Sequence, residues 1–151
     1  MKKITLLIAI IICFSGSVLA QSKTLTSSQL ALRNSIQSYL KSEGFQPMID
    51  DDGDIKFKRQ GYTYFVRVSA TDENPMFVKL SKYFNYNEAV TRTKLLLFNA
   101  DNDYKMCKII PGNEYYVVKS EMYITTSSSF TNIFYKILQV MDGVEEEIRK
   151  L

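Results

Sequence analysis

The chain contains no histidine and no tryptophan, and its 151 residues include only two cysteines, three prolines and six glycines. Each shortage excludes chemistry. Without histidine there is no His-based nucleophile triad, no imidazole acid–base group and no His-ligated zinc. Cys13 lies in an N-terminal leader, so Cys107 is the one cysteine of the remaining chain. That excludes an intramolecular disulfide, a dithiol redox motif and a thiolate zinc site. The glycines are scattered and form no phosphate-cradling loop. Charge of one sign is also scarce, with 19 Lys+Arg against 16 Asp+Glu. The overall balance gives no argument for nucleic acid or for a membrane surface.

What is there begins with the leader. Lys2 and Lys3 precede an apolar run from Ile4 to Phe14, and small residues then lead to Val18-Leu19-Ala20. This is the layout of a secretory signal peptide, with cleavage expected after Ala20. The run is too short for a membrane span, which takes about 20 residues. A lipidated Cys13 would need a small residue where Ile12 stands. Residues 1–20 are therefore read as a signal peptide and 21–151 as a single domain, periplasmic or secreted, with no stable membrane insertion. The two leader lysines take the net charge from +3 to +1 when they leave. Stability must then come from the core. The 131 residues left from 151 after removing 20 are enough for that, and ten Tyr and eight Phe are available to fill it.

Periodicity predicts three helices. The first starts at Thr26, whose spacing to Gln29 fits a capping box, carries Leu32, Ile36, Tyr39 and Leu40 on one stripe, and stops at Gly44. The second is expected from Asn85 or Asn87 through Ala89, Val90 and Leu95–Phe98, ending over Asn99–Asp103. The third follows Thr126–Ser129, with Phe130, Phe134, Ile137, Leu138, Met141 and Ile148 at helical spacing. Strands are expected at Phe45–Ile49 (an edge, because of Pro47), Ile55–Arg59, Tyr62–Ser69, Met76–Tyr83, Lys105–Ile110 and Glu114–Thr125. The fold class is α+β, in the order α-β-β-β-β-α-β-β-α. An antiparallel sheet has helices one and three packed on one face, and its other face is solvated.

Two constellations stand out. The run Asp50-Asp51-Asp52-Gly53-Asp54 raises calcium, but the glycine falls in the wrong place and no glutamate closes an EF-hand loop. It reads as a hairpin turn, and no metal or cofactor is expected. Strand alternation is more informative. The apolar parity sends Ile55, Phe57, Tyr64, Val66, Val78, Leu80, Cys107 and Val118 inward, with Cys107 an inert buried thiol. The opposite parity collects Lys56, Lys58, Phe65, Arg67, Phe77, Lys79, Lys108, Tyr115, Val117, Lys119 and Tyr123, with the single acid Glu121. Of these, Lys56, Lys58, Phe65, Arg67, Phe77, Lys79, Tyr115, Val117 and Lys119 form the candidate partner-binding face. Solvated sheet faces also carry lysine stems without any ligand. A recognition face for an acidic protein partner is the sharper alternative.

The order of elements resembles the YbjN family, which shares a fold with type III secretion chaperones. The resemblance is carried by Leu40-Lys41-Ser42-Glu43-Gly44-Phe45, the acidic turn, Asp54-Ile55-Lys56-Phe57, Tyr62-Thr63-Tyr64-Phe65-Val66-Arg67-Val68, Phe98–Asp103 and Lys105-Met106-Cys107-Lys108. It spans most of 45–151. The leader departs from the family's familiar cytoplasmic members. What the resemblance implies is a non-enzymatic, often dimeric, protein-binding domain with no catalytic residues. The expectation is an exported chaperone-like or regulatory module of the bacterial envelope that binds another protein or a second copy of itself, and no nucleic acid. The alternatives are a small secreted inhibitor or sensor domain of the PepSY kind, or a carrier of an apolar ligand with helix two as lid.

Overall fold

The structure is a computed structural model that describes residues 24–101 and 106–151. The leader and Lys105 lie outside the described residues. The elements are α1 (Ser27–Ser42), β1 (Met48–Ile49), β2 (Ile55–Arg59), β3 (Tyr62–Glu73), β4 (Met76–Asn85), α2 (Arg92–Asp101), β5 (Lys108–Pro111), β6 (Tyr115–Ile124) and α3 (Ser127–Ile148). The α+β order is the one the periodicity gives. All strand pairs are antiparallel, in one six-stranded sheet ordered β1-β2-β3-β4-β6-β5.

Local chemistry sets the boundaries. The Thr26 hydroxyl accepts the Gln29 N–H, and the Gln29 side chain accepts the Thr26 N–H at 2.8 Å, so the capping box forms. Gly44, at φ +86°, turns the chain out of α1. In the acidic turn, Asp50 Oδ1 accepts the N–H groups of Asp52 and Asp54 at 3.1 and 2.9 Å. Gln60 and Gly61 both take positive φ, the requirement of a tight two-residue hairpin between β2 and β3.

Five boundaries differ clearly from expectation. The first strand shrinks from 45–49 to two residues, because Pro47 has no N–H to give and Phe45 turns inward against Phe57, with ring centroids 5.2 Å apart. β3 and β4 run on to Glu73 and Asn85, so the expected loop at 72–75 reduces to the Asn74–Pro75 turn. Gln29 Nε2 ties down the Asp72 carbonyl at 3.0 Å. α2 starts at Arg92, not at Asn85 or Asn87. Asn87 instead closes a local turn, its Oδ1 accepting the Val90 N–H at 2.7 Å, and Thr91 Oγ1 caps the helix at the Lys94 N–H. The fifth strand opens at Lys108, past Cys107.

α1 packs on β3 and on α3, and α3 packs on β6, so these two helices cover one sheet face. α2 packs against β5 at the sheet's edge. Between helices and sheet, Phe57, Tyr64, Phe130 and Phe134 are buried, with Phe57 and Tyr64 stacked at 5.2 Å and Phe57 and Phe134 6.1 Å apart. Inward strand residues are buried as the alternation predicts, and Cys107, just before β5, is buried as well. Burial pushes its thiol pKa up to about 11. Among the described residues, no helix is long and apolar enough to cross a membrane.

Candidate functional site: the bare sheet face

Among the described residues, no helix covers the second face of the sheet. Its side chains come from alternate positions of β2, β3, β4, β6 and β5, and cross-strand register sorts them into rows. One row reads Lys56, Phe65, Ser81, Lys119, Lys108. The next reads Arg67, Lys79, Glu121, with Asp54 beside Arg67 at the start of β2. Outside these two cationic rows lie aromatic ones. Phe77 pairs with Tyr123 on one side, centroids 4.8 Å apart. Tyr83 lies on the other, 5.3 Å from Phe65 and 5.5 Å from Tyr115. Val117 pairs with Tyr83 and Ile110. All nine predicted residues therefore share one face, although Lys58 stands at its β2 margin and Phe77 and Tyr115 at opposite ends.

The cations are not equivalent. Glu121 is the centre of the charge pattern. Its Oε1 accepts from Lys119 at 2.7 Å and faces Lys79 at 4.0 Å, while Oε2 accepts from Lys108 at 2.7 Å. Hydrogen bonds from Lys108 and Lys119 outweigh partial burial and pull its pKa from 4.5 down to about 2. Arg67 grips the buried Asp54 through Nε at 3.0 and 2.9 Å and Nη2 at 2.6 Å. The Lys56 ammonium lies 5.8 Å from the Phe65 ring centre and that of Lys79 5.3 Å from Phe77. A shallow open depression of about 190 Å³ lies between Phe65, Tyr83 and Val117, with Arg67, Lys79 and Lys119 on its walls.

Three features are not evident from the sequence. Asp54 reads there as part of the turn, although it clamps Arg67. Tyr83 joins Phe65 to Tyr115 and is exposed. It shares the parity of Phe77 and Lys79 on β4, which places it on this face. The opposite parity sends Lys82 inward, where it is buried and bonded to the buried Glu145 of α3. Among the described residues, no group of three or more acidic or cysteine side chains could hold a metal.

The fold and face define a single-sheet α+β domain with one bare, cationic and aromatic face. Neither a protein-family model, nor a curated protein, nor a solved structure matches this chain.

Proposed function

We propose that the domain is an exported, non-catalytic protein-binding module of the bacterial cell envelope, chaperone-like or regulatory in character. The observation that carries it is the bare face. Tyr123 is 63% exposed, and Tyr83 and Tyr115 are each 46% exposed, beside six cations on one side of a sheet whose other side is fully used as core. Aromatic rings supply contact area at little entropic cost, and cations steer encounter with an acidic partner. The leader layout supports export, and the YbjN-like order of elements supports a binding role. α2 gives little support to a ligand carrier, because Leu95 fills the core while Leu96 and Leu97 face solvent.

The test is cross-linking of the tagged full-length chain in its own host, followed by recovery from the envelope fraction. Intact mass should show a chain beginning at Gln21; retention of residues 1–20 would remove the export reading. A stoichiometric partner should be lost in a Lys56→Glu, Lys58→Glu, Tyr123→Ser variant that melts at the parent temperature. A partner retained by that variant would move the binding surface elsewhere.

A further inference from the structure

We infer that the two cationic rows bind an acidic stretch of polypeptide laid across the strands, and that Glu121 is an internal competitor for its carboxylates. This rests on the bare face being a protein-binding surface.

Register gives the shape. Lys56, Arg67, Lys79, Lys119 and Lys108 come one each from β2, β3, β4, β6 and β5, in that spatial order. Neighbouring strands are about 4.8 Å apart, so the stripe is roughly 19 Å long and only two rows wide. Its charge is unbalanced. Five cations share two carboxylates, those of Glu121 and Asp54. Lys79 stands 4.0 Å from Glu121, beyond hydrogen-bond reach, and Lys56 rests on a ring.

Glu121 shows which chemistry the stripe accepts, since one side-chain carboxylate takes two ammonium groups at 2.7 Å each. A partner carboxylate entering at Lys79 would compete with it for Lys119. Lys56 and Lys119 are three strands apart, roughly 14 Å, which is four residues of extended chain at about 3.4 Å each. Acids four apart on an extended partner segment would reach both.

The surroundings favour a peptide over other polyanions. Lys119 and Glu121 keep only 23% and 17% side-chain exposure, recessed beside Tyr123, which is 63% exposed. A planar anionic lipid surface would meet the exposed rings first. Those rings pack against one another at interplanar angles of 43° to 80°, which leaves edges and partial faces rather than a flat platform for nucleic-acid bases.

The test is titration of a fluorescent oligoglutamate peptide with the mature chain, at low and at physiological salt, with thermal melts of each variant as folding control. Binding should weaken with salt. Lys79→Gln and Lys108→Gln should each weaken it about threefold, the range of a single exposed ion pair. Glu121→Gln should tighten it about threefold, the reverse of what a purely structural role would give. Unchanged or weaker binding by Glu121→Gln overturns the competitor role. Oligouridine RNA or phosphatidylglycerol vesicles bound more tightly than the peptide would overturn the choice of partner. If no variant binds oligoglutamate, yet the cross-linked partner still depends on Lys56, Lys58 and Tyr123, the acidic-segment inference falls and the bare-face reading stands. A cross-linked partner indifferent to those residues removes the reading itself.

Discussion

Lys82 carries its charge into the interior, on a strand whose neighbouring inward residues are Leu80 and Phe84. Its ammonium is bonded to Glu145 and lies 3.7 Å from the Tyr62 ring centre, 4.9 Å from Phe84 and 5.3 Å from Tyr64. Burial raises the Glu145 pKa, but hydrogen bonds from Lys82, Arg149 and Tyr62 outweigh it and leave it lowered. A buried pair contributes little over a well-packed apolar one, yet breaking it strands a charge. Glu145→Leu should therefore cost about 3 kcal/mol, and adding Lys82→Met should recover all but about 1 kcal/mol of it. Urea unfolding of the two variants measures this; a double variant no better than the single one would show that the pair acts by more than mutual neutralisation. Glu121 lies on the opposite face of the sheet. Its folded pKa is depressed, so the unfolded state binds more protons between about 4.5 and 2. Its contribution to stability is complete above the unfolded value and is lost as pH falls through about 2. Glu121→Gln should flatten that part of the stability–pH curve, and an unchanged acid limb would count against the three-lysine arrangement. Cys107, buried with its thiol pKa raised, should resist thiol reagents in the native protein and react on unfolding.

Each element depends on a few local devices, and these are also where sequence and structure agree or part. The α1 capping box is legible because both partners lie within one turn. Thr26→Ala should lower stability by about 1 kcal/mol in urea unfolding, and a change under a few tenths would show that packing of Leu32, Ile36 and Leu40 holds the start of α1 by itself. Strand parity is legible for the same reason: it depends only on alternation, so the nine candidate residues of the bare face could be assigned before any pairing was known, though not the ring contacts of Tyr83 or the clamp of Asp54 on Arg67. What could not be read depends on distant partners. Asn85 and Asn87 look like helix caps, but Asn85 belongs to β4, where it pairs with Tyr115, and Asn87 spends its side chain on Val90. β3 outruns its local pattern because Gln29, 43 residues earlier in the chain, binds the carbonyl of Asp72. Alternation within Met76–Tyr83 already points Lys82 inward and Tyr83 outward, but an inward lysine reads as an exception until its partner Glu145, on α3, is known. Part of the charge pairing on the bare face was equally out of reach: Glu121 meets Lys108 across the short β5–β6 hairpin, but it meets Lys79 only because β6 pairs with β4, far earlier in the chain.

At the scale of the whole molecule, the sheet is unevenly supported. β3, β4 and β6 occupy its middle, with α1 and α3 over them; Phe134, Ile137 and Met141 of α3 are fully buried. β5 forms an outer edge of only four residues, and its cover is α2. Leu95 of α2 is buried, Leu96 and Leu97 are exposed, and Asn99 Nδ2 closes the edge by donating to the Ile109 carbonyl at 2.9 Å. Few apolar contacts and an edge position define the regions that open first. In native-state hydrogen exchange, amides of β3, β4, β6 and α3 should therefore exchange only through global unfolding, with a denaturant slope equal to the equilibrium one. Amides of α2 and the outer edge of β5 should exchange through a smaller opening with a shallower slope. Asn99→Ala should speed exchange along β5 and leave the central strands unchanged. A single slope for all of these amides would instead make α2 part of the global unit. The division bears on recognition, because the cationic stripe runs from the rigid centre at Lys79 and Lys119 to Lys108 on the labile edge. A partner that engages Lys108 would have to hold β5 closed. Oligoglutamate, if bound there, should slow exchange at β5 more than at any central strand.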